Sequence, residues 1–194
     1  MKIVILNSAD SVASNTYLTT LNTIGFEKAD KMVDLLESIK PDIIYSSPFI
    51  RALQTIYPFC KKIDSRVLPE CALYPIKKYD KLLHPFEMGN NSLPYYFSYL
   101  NTICDCDYKS KLFHSNVRSR ENVQDIKNRV FPFLHFLKTE YLDTNKAIVL
   151  NTHHDLCVYM LEYFGIEDEI VGDVYIIDIF PTHQSHKRIA MCMS

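Results

Sequence analysis

The chain has 194 residues, 47% hydrophobic and 12% aromatic, which is enough material to bury a sizeable core in one domain. Its 21 lysines and arginines nearly balance 23 aspartates and glutamates, which excludes a generically basic nucleic-acid-binding protein. The four glycines are spread from Gly25 to Gly172, and neither G-x-G-x-x-G nor a Walker A motif occurs. We therefore expect no nucleotide cofactor, and no other cofactor is indicated.

The first part of the chain predicts strands that alternate with helices. Apolar β-branched runs indicate buried strands, and apolar residues at helical spacing indicate helices. The predicted elements are strands 2–6, 42–45 and 66–68 and helices 25–40 and 49–60. Pro48 suits the first turn of the second helix, and Pro58 is expected to kink or end it.

Residues 69–118 interrupt this rhythm with four prolines and a cluster of aromatic residues, which predicts an irregular insertion after the third strand. The elements predicted from here on are a short helix at 95–103, helices 121–141 and 154–164, and strands 147–151, 174–180 and 188–192. The alternation favours a three-layer α/β/α architecture with a mainly parallel sheet. We interpret residues 1–194 as one domain, with 69–118 as an insertion or cap over the pocket.

In open α/β sheets the site lies outside the carboxyl ends of the strands. Asn7 and Ser8 follow the first predicted strand, Arg51 follows the second, and His153 follows the fourth. An arginine and a histidine that converge at these ends would suit an anion, and helix N-termini would add to the favourable field.

The segment Ile43–Thr55 reads IIYSSPFIRALQT, and it resembles the histidine phosphatase superfamily, the phosphoglycerate mutase-like proteins, which typically carry Ser-Ser-Pro-x-x-Arg-Ala-x-Gln-Thr after a strand. Leu21–Gly25, Glu121 to Arg129, and Ile148–His153 resemble further parts of the family in the same order. The resemblance implies a phosphoglycerate mutase-like fold and a phosphatase or mutase reaction. In that reaction a histidine attacks the phosphoryl group, two arginines and a second histidine hold its oxygens, and a glutamate protonates the leaving oxygen.

Mapped onto this family, the chain keeps two site groups and lacks three. Arg51 matches the second arginine of the family and His153 matches its second histidine. Asn7 stands at the position of the first arginine, and Ser8 stands at the position of the nucleophile. The segment Ala72-Leu-Tyr-Pro places Pro75 where the acid is expected. The predicted phosphate-binding residues are then Arg51, His153, Asn7 and Ser8.

Three functions remain open at this point. The first is a catalytically impaired histidine-phosphatase-fold protein, a pseudophosphatase, that binds a phosphorylated small molecule, a phosphoprotein or another protein partner. The second is an active phosphatase or mutase that uses altered residues, with Ser8 as nucleophile beside His153 and Glu87 as a fallback acid. The third is a protein-interaction module in which Arg51 pairs with a carboxylate such as Asp10. The sequence does not indicate an oligomeric state.

Two cysteine patterns suggest other kinds of site, a cysteine phosphatase site and a metal site. Cys60 and Arg66 fit the Cys-x5-Arg pattern of cysteine phosphatases, but Cys60 ends a predicted helix rather than following a strand. Cys104 and Cys106, with His114 nearby, form only one close pair of metal ligands, and we expect no metal site.

The apolar run at the N-terminus spans only four residues, too short for a signal peptide or a membrane span. We therefore expect an intracellular, cytoplasmic protein without membrane contact. In such a reducing compartment its six cysteines would stay reduced.

Overall fold

The computed structural model describes residues 1–12, 16–76, 95–112, 117–118, 120–167 and 173–190. The strands are β1 (Lys2–Asn7), β2 (Ile43–Ser46), β3 (Leu68–Pro69), β4 (Ala147–Thr152), β5 (Val174–Ile179) and β6 (Gln184–Ile189). The α-helices are α1 (Thr23–Ile39), α2 (Ile50–Ile63), α3 (Val123–Tyr141) and α4 (His154–Tyr163). Residues Cys71–Leu73 and Tyr95–Thr102 form 3-10 helices.

The strands form one sheet in the order β3-β2-β4-β1-β5-β6. The pairs β3–β2, β2–β4 and β4–β1 are parallel, whereas β1–β5 and β5–β6 are antiparallel. Hydrophobic cores lie on both faces of the sheet, because successive residues of a strand point to opposite sides. Ile3 and Ile5 pack with α3 and α4, and Val4 and Leu6 pack with α1 and α2. The predicted α/β fold with a mainly parallel sheet is confirmed.

The structure corrects the sequence analysis at two element ends. The helix α2 continues through Pro58 and ends at Ile63, where Asp64 adopts a left-handed conformation with φ of 51°. The last strand spans Gln184–Ile189 rather than 188–192, and all but one of its residues are exposed. An exposed edge strand of polar residues lacks the apolar pattern by which a strand is found in a sequence.

The helix α1 begins where the chain approaches itself closely. The Asn22 side chain accepts a hydrogen bond from the Gly25 N–H at 2.8 Å and caps the helix. A Cβ atom on Gly25 would lie 1.9 Å from the backbone oxygen of Asp10. Glycine therefore lets the helix pack directly against the loop that follows β1.

Part of the predicted insertion is held in place by one buried carboxylate. Glu70 is fully buried and accepts hydrogen bonds from the backbone N–H groups of Ala72, Lys111 and Leu112 and from the hydroxyls of Tyr108 and Ser110. These bonds tie residues 108–112 to the end of β3. The role of 69–118 as a cap stays a prediction, and Glu87 and His114 lie outside the described residues.

Among the described residues, no helix combines the length and the apolar character needed to cross a bilayer.

Candidate functional site

The carboxyl ends of β1, β2 and β4 meet at one edge of the sheet. In the strand register Asn7 pairs with Thr152, the residue directly before His153. The Ser8 N–H donates to the Thr152 carbonyl at 2.8 Å, and the Ser47 N–H donates to the Asn151 carbonyl at 2.9 Å. The backbone thus brings together the residues that follow each of the three strands.

The side chains of the Arg51–Thr55 segment fix the neighbouring loops. The Gln54 side chain accepts a hydrogen bond from the Leu21 N–H at 2.9 Å. The Thr55 hydroxyl accepts from the Ala9 N–H at 3.0 Å and donates to the Arg51 carbonyl at 2.8 Å. Gln54 and Thr55 therefore hold the segments that precede α1 and follow β1.

Arg51 is a buried cation, with only 7% of its surface exposed. Its Nε donates to His153 Nδ1 at 3.2 Å, and its Nη1 donates to the Thr16 carbonyl at 3.4 Å. Its guanidinium carbon lies 5.3 Å from the centre of the Phe49 ring. Burial lowers the pKa of Arg51 to about 10 and the charge of Asp155 opposes that shift, so the group stays charged near neutral pH.

Arg51 makes no ion pair within the part of the chain that the structure describes, and its Nη2 makes no hydrogen bond there. The Asp10 carboxylate, a candidate partner of Arg51 in the sequence, pairs instead with Lys28, at 2.8 Å. A buried guanidinium without a bonded carboxylate is a site where an anion can bind.

His153 is neutral, and its tautomer follows from its partners. Because Nδ1 accepts the Arg51 Nε–H, the ring proton lies on Nε2, which donates to the Ser47 hydroxyl at 2.9 Å. Burial, followed by the charges of Arg51 and Arg129, lowers the pKa of His153 well below 6.5. Burial therefore moves proton uptake by this imidazole to a lower pH than that of an ordinary histidine.

The structure brings three of the four predicted site residues into contact. The Ser8 hydroxyl lies 3.4 Å from His153 Nδ1, the same atom that accepts from Arg51. Asn7 lies beside them at the end of β1, with its backbone N–H bonded to the Asp173 carbonyl at 2.8 Å. The structure records no hydrogen bond for the Asn7 side chain within the described residues.

Sequence reasoning missed the partners that fix this arrangement. Ser47, the second serine of the Ser-Ser-Pro motif, orients His153 through Nε2. Arg129 is buried, donates to the carbonyls of Ala72 and Tyr74, and forms a bidentate pair with Glu121 at 2.6 and 2.9 Å. A charged residue on the apolar face of a predicted helix is the signal that could have identified Arg129.

The position expected for the general acid has no carboxylate. Pro75 follows the buried Tyr74, and the Thr152 hydroxyl holds this segment by donating to the Leu73 carbonyl at 3.0 Å. The nearest glutamate earlier in the chain, Glu70, uses both of its oxygens to bind residues 72 and 108–112.

The surroundings of the cysteines do not favour a catalytic or metal-binding role. The five cysteines of the described residues are free, and burial raises the pKa of Cys60 to about 12, which makes it a poor nucleophile. Arg66 is exposed and bonds to the Thr102 carbonyl. Cys157 is buried and contacts the His153 carbonyl at 3.4 Å. Within the described ranges, no group of three or more histidine, cysteine, aspartate or glutamate residues is placed to hold a metal ion.

The comparisons with known proteins agree with this architecture. Residues 12–75 match the family model of the histidine phosphatase superfamily (branch 1). Over these residues the chain is similar to that superfamily. The predicted resemblance is thereby confirmed, and a phosphatase is the activity expected of this chain if it is active. No curated protein sequence matches the chain.

Solved structures share the fold over the whole chain. The alpha-ribazole phosphatase of Shigella flexneri is 16% identical with a TM-score of 0.66, covering 100% of both chains. The ecdysone phosphate phosphatase of Bombix mori, in complex with tungstate, is 11% identical with a TM-score of 0.66 and covers 100% of this chain and 94% of its own. A mycobacterial glucosyl-3-phosphoglycerate phosphatase with inorganic phosphate is 16% identical with a TM-score of 0.60, covering 97% and 96%. At these identities the likeness shows the fold alone.

Proposed function

We propose that this protein is a pseudophosphatase, a catalytically impaired member of its superfamily whose Arg51–His153 site binds an anion weakly. The observation that carries the proposal is the Arg51–His153 hydrogen bond of 3.2 Å. The two retained site groups bond to each other, while an uncharged serine stands at the nucleophile position.

Chemistry at Ser8 is disfavoured by the state of its neighbour. A serine hydroxyl is a weak nucleophile unless a base takes its proton. Within the part of the chain that the structure describes, the only base in contact is His153 Nδ1. Its lone pair already accepts from Arg51, and burial and nearby positive charge lower the pKa of the ring. Pro75, at the position expected for the acid, cannot protonate the leaving oxygen.

The proposed ligand is a phosphorylated small molecule or a phosphoprotein. Support comes from the buried Arg51 guanidinium, from the position of His153 at the start of α4, and from the phosphate and tungstate named in structures that share the fold. Uncharged Asn7 and Ser8 in place of charged groups weaken the site, because a neutral hydrogen bond contributes about 1 kcal/mol and a charged one about twice that. We therefore expect dissociation constants in the millimolar range.

Titration with inorganic phosphate, followed by calorimetry or NMR, tests the proposal. We expect weak binding to the native protein and a loss of about tenfold or more in Arg51→Ala, the effect of removing one charged hydrogen bond. Arg118→Ala is the matched control, since it removes the same charge from an exposed side chain. Equal binding to the native protein and Arg51→Ala would favour the pure interaction-module hypothesis instead.

An active phosphomonoester phosphatase or mutase is the second candidate, because the Ser8 hydroxyl lies 3.4 Å from an unprotonated imidazole nitrogen. This candidate predicts turnover that disappears in Ser8→Ala, together with phosphoserine at position 8. An intracellular location also stays a proposal, and the free thiols of the described cysteines fit a reducing compartment.

A further inference from the structure

Counting the described residues, the Arg51–His153 site offers a bound anion one net positive charge. Arg51 is the only cation that contacts the other site groups within the described residues. The next cation, Arg129, is neutralised by its bidentate pair with the buried Glu121. The carboxylate of Asp155 acts on Arg51 as well, and so reduces rather than increases the positive field.

We infer that this site selects a singly charged oxyanion, a carboxylate or phosphodiester group of a small molecule, over a doubly charged phosphate monoester. The inference rests on the proposed Arg51–His153 anion site and changes its preferred ligand from a phosphate monoester to a singly charged group. It follows from the single unpaired guanidinium and the neutral hydroxyl and imidazole groups around it.

Desolvation decides between the two charge states. An anion in contact with Arg51 and His153 loses much of its water, because these residues are only 7% and 4% exposed. The electrostatic cost of removing an ion from water rises with the square of its charge, whereas its attraction to one cation rises only linearly. A dianion therefore suffers the larger penalty and keeps one charge uncompensated.

The available donors also match a single charge. Arg51 Nη2 makes no hydrogen bond within the described residues, so its N–H groups can reach an oxygen of the ligand. The Ser8 hydroxyl, at 3.4 Å from Nδ1, makes only a long contact and can turn to donate to a second oxygen. The His153 ring donates to Ser47, so it adds no charge while it stays neutral.

Three aryl anions of similar size test the inference. Phenyl phosphate, methyl phenyl phosphate and benzoate are titrated by NMR at about pH 8, where the monoester is a dianion because its second pKa is about 6. His153 is neutral under these conditions, since burial and the charges of Arg51 and Arg129 lower its pKa. We expect benzoate or methyl phenyl phosphate, whichever binds more tightly, to exceed phenyl phosphate by about tenfold. The order of those two identifies the source of the charge, carboxylate or diester.

Two variants keep the outcome interpretable. Arg51→Gln should abolish the binding of all three probes, while Arg118→Gln, on an exposed arginine, should leave it unchanged. Asn7→Arg adds a second cation next to Ser8 and should shift the preference towards phenyl phosphate. Tightest binding of phenyl phosphate to the native protein, lost in Arg51→Gln, would overturn the inference and leave the proposed function standing. No binding of any probe would overturn both.

Discussion

The ends of β1 and β2 flank the end of β4, and they differ in what they retain of a histidine phosphatase site. After β2, Arg51, Gln54 and Thr55 match the family motif, and each makes side-chain hydrogen bonds. After β1 stand the uncharged Asn7 and Ser8, where the resemblance implies an arginine and a histidine. The β2 end therefore carries a charged group and the β1 end carries none.

The backbone shows no such difference. The N–H groups of Ser8 and Ala9 are bonded to the Thr152 carbonyl and the Thr55 hydroxyl as firmly as the β2 end is bonded to β4. These bonds use backbone atoms of the β1 end, so the side chains of residues 7 and 8 can change without loss of the frame. The comparison shows that the backbone of a site can stay in place while its reactive side chains change.

Introducing charged groups after β1 is the strongest test of whether the backbone of the site is still intact. We expect no measurable turnover of a generic phosphomonoester by the native protein and a rise of at least about a hundredfold over background in Asn7→Arg/Ser8→His/Pro75→Glu, because a missing acid alone commonly costs that much. Each single change should do little, since the groups act as a unit. Phosphohistidine at position 8 in the triple variant would be direct support. Native turnover that disappears in Ser8→Ala would contradict the comparison.

The close packing of the loop after β1 against α1 can be disturbed at Gly25. Gly25→Ala would place a Cβ 1.9 Å from the Asp10 oxygen, so the loop or the helix must move. We expect a loss of about 3 kcal/mol in the free energy of unfolding, at the upper end of overpacking effects. Gly165→Ala is the control, because that residue has φ of +68° but open space around it, and should cost only about 1–2 kcal/mol. Denaturant unfolding measures both, and equal losses would show that the contact with Asp10 is soft.

Much of the fold and part of the candidate site can be predicted from the sequence. The buried strands and Arg51, Ser8 and His153 could be placed in advance, because strand ends in parallel sheets converge and the Ile43–Thr55 motif is specific. The hydrogen bond between Arg51 and His153 could not be predicted, since it depends on side-chain geometry. The depressed pKa of His153 follows from burial, which no local pattern reports.

The errors in the predicted bounds of β6 and α2 have physical reasons as well. The strand β6 is exposed and polar, and only its pairing with β5 makes it a strand. The helix α2 is held by packing beyond Pro58, so tertiary contacts override the local tendency of proline to end a helix. The hydrogen bonds of Glu70 with residues 108–112 span some forty positions of sequence, a distance over which no spacing rule acts.

The bond from the β2 segment to the β1 loop can be broken at Thr55. Thr55→Val keeps the shape of the side chain but leaves the buried Ala9 N–H without its acceptor. We expect a loss of about 2 kcal/mol, the typical cost of an unsatisfied buried donor. Thr55→Ser keeps the hydroxyl and should recover most of that loss. Thermal unfolding checks the pair, and an equal loss in both would mean that the methyl group rather than the hydrogen bond matters.

The neutral state of His153 can be tested by the pH dependence of the unfolding free energy. Its pKa is lowered in the folded protein, so the unfolded chain binds the proton more readily as the pH falls below about 6.5. Stability is therefore complete above that value and decreases below it, by at most about 1.4 kcal/mol per pH unit for one proton. His153→Gln should flatten this dependence in unfolding experiments between about pH 7 and about pH 5. The exposed His154 is the matched control, and His154→Gln should leave the slope as it is.

The smallest expected effect concerns the ion pairs that hold the loop after β1. Lys28 contacts Asp10 at 2.8 Å and Asp173 at 3.5 Å, and the hydrogen bond to Asp10 is the main reason why the pKa of Lys28 is raised. Because the pairs are partly exposed, we expect Lys28→Gln to lower the unfolding free energy by less than about 1 kcal/mol.

This stabilisation from Lys28 is present below the ordinary lysine pKa and should disappear as the pH rises above it, and added salt should reduce it. Lys62→Gln is the control, because Lys62 pairs with Glu37 at 2.8 Å on a more exposed surface and should contribute still less. If the two variants are equally stable, the β1 loop owes its position to its backbone contacts alone. Those contacts are the Ala9 hydrogen bond to Thr55 and the packing of Asp10 against Gly25.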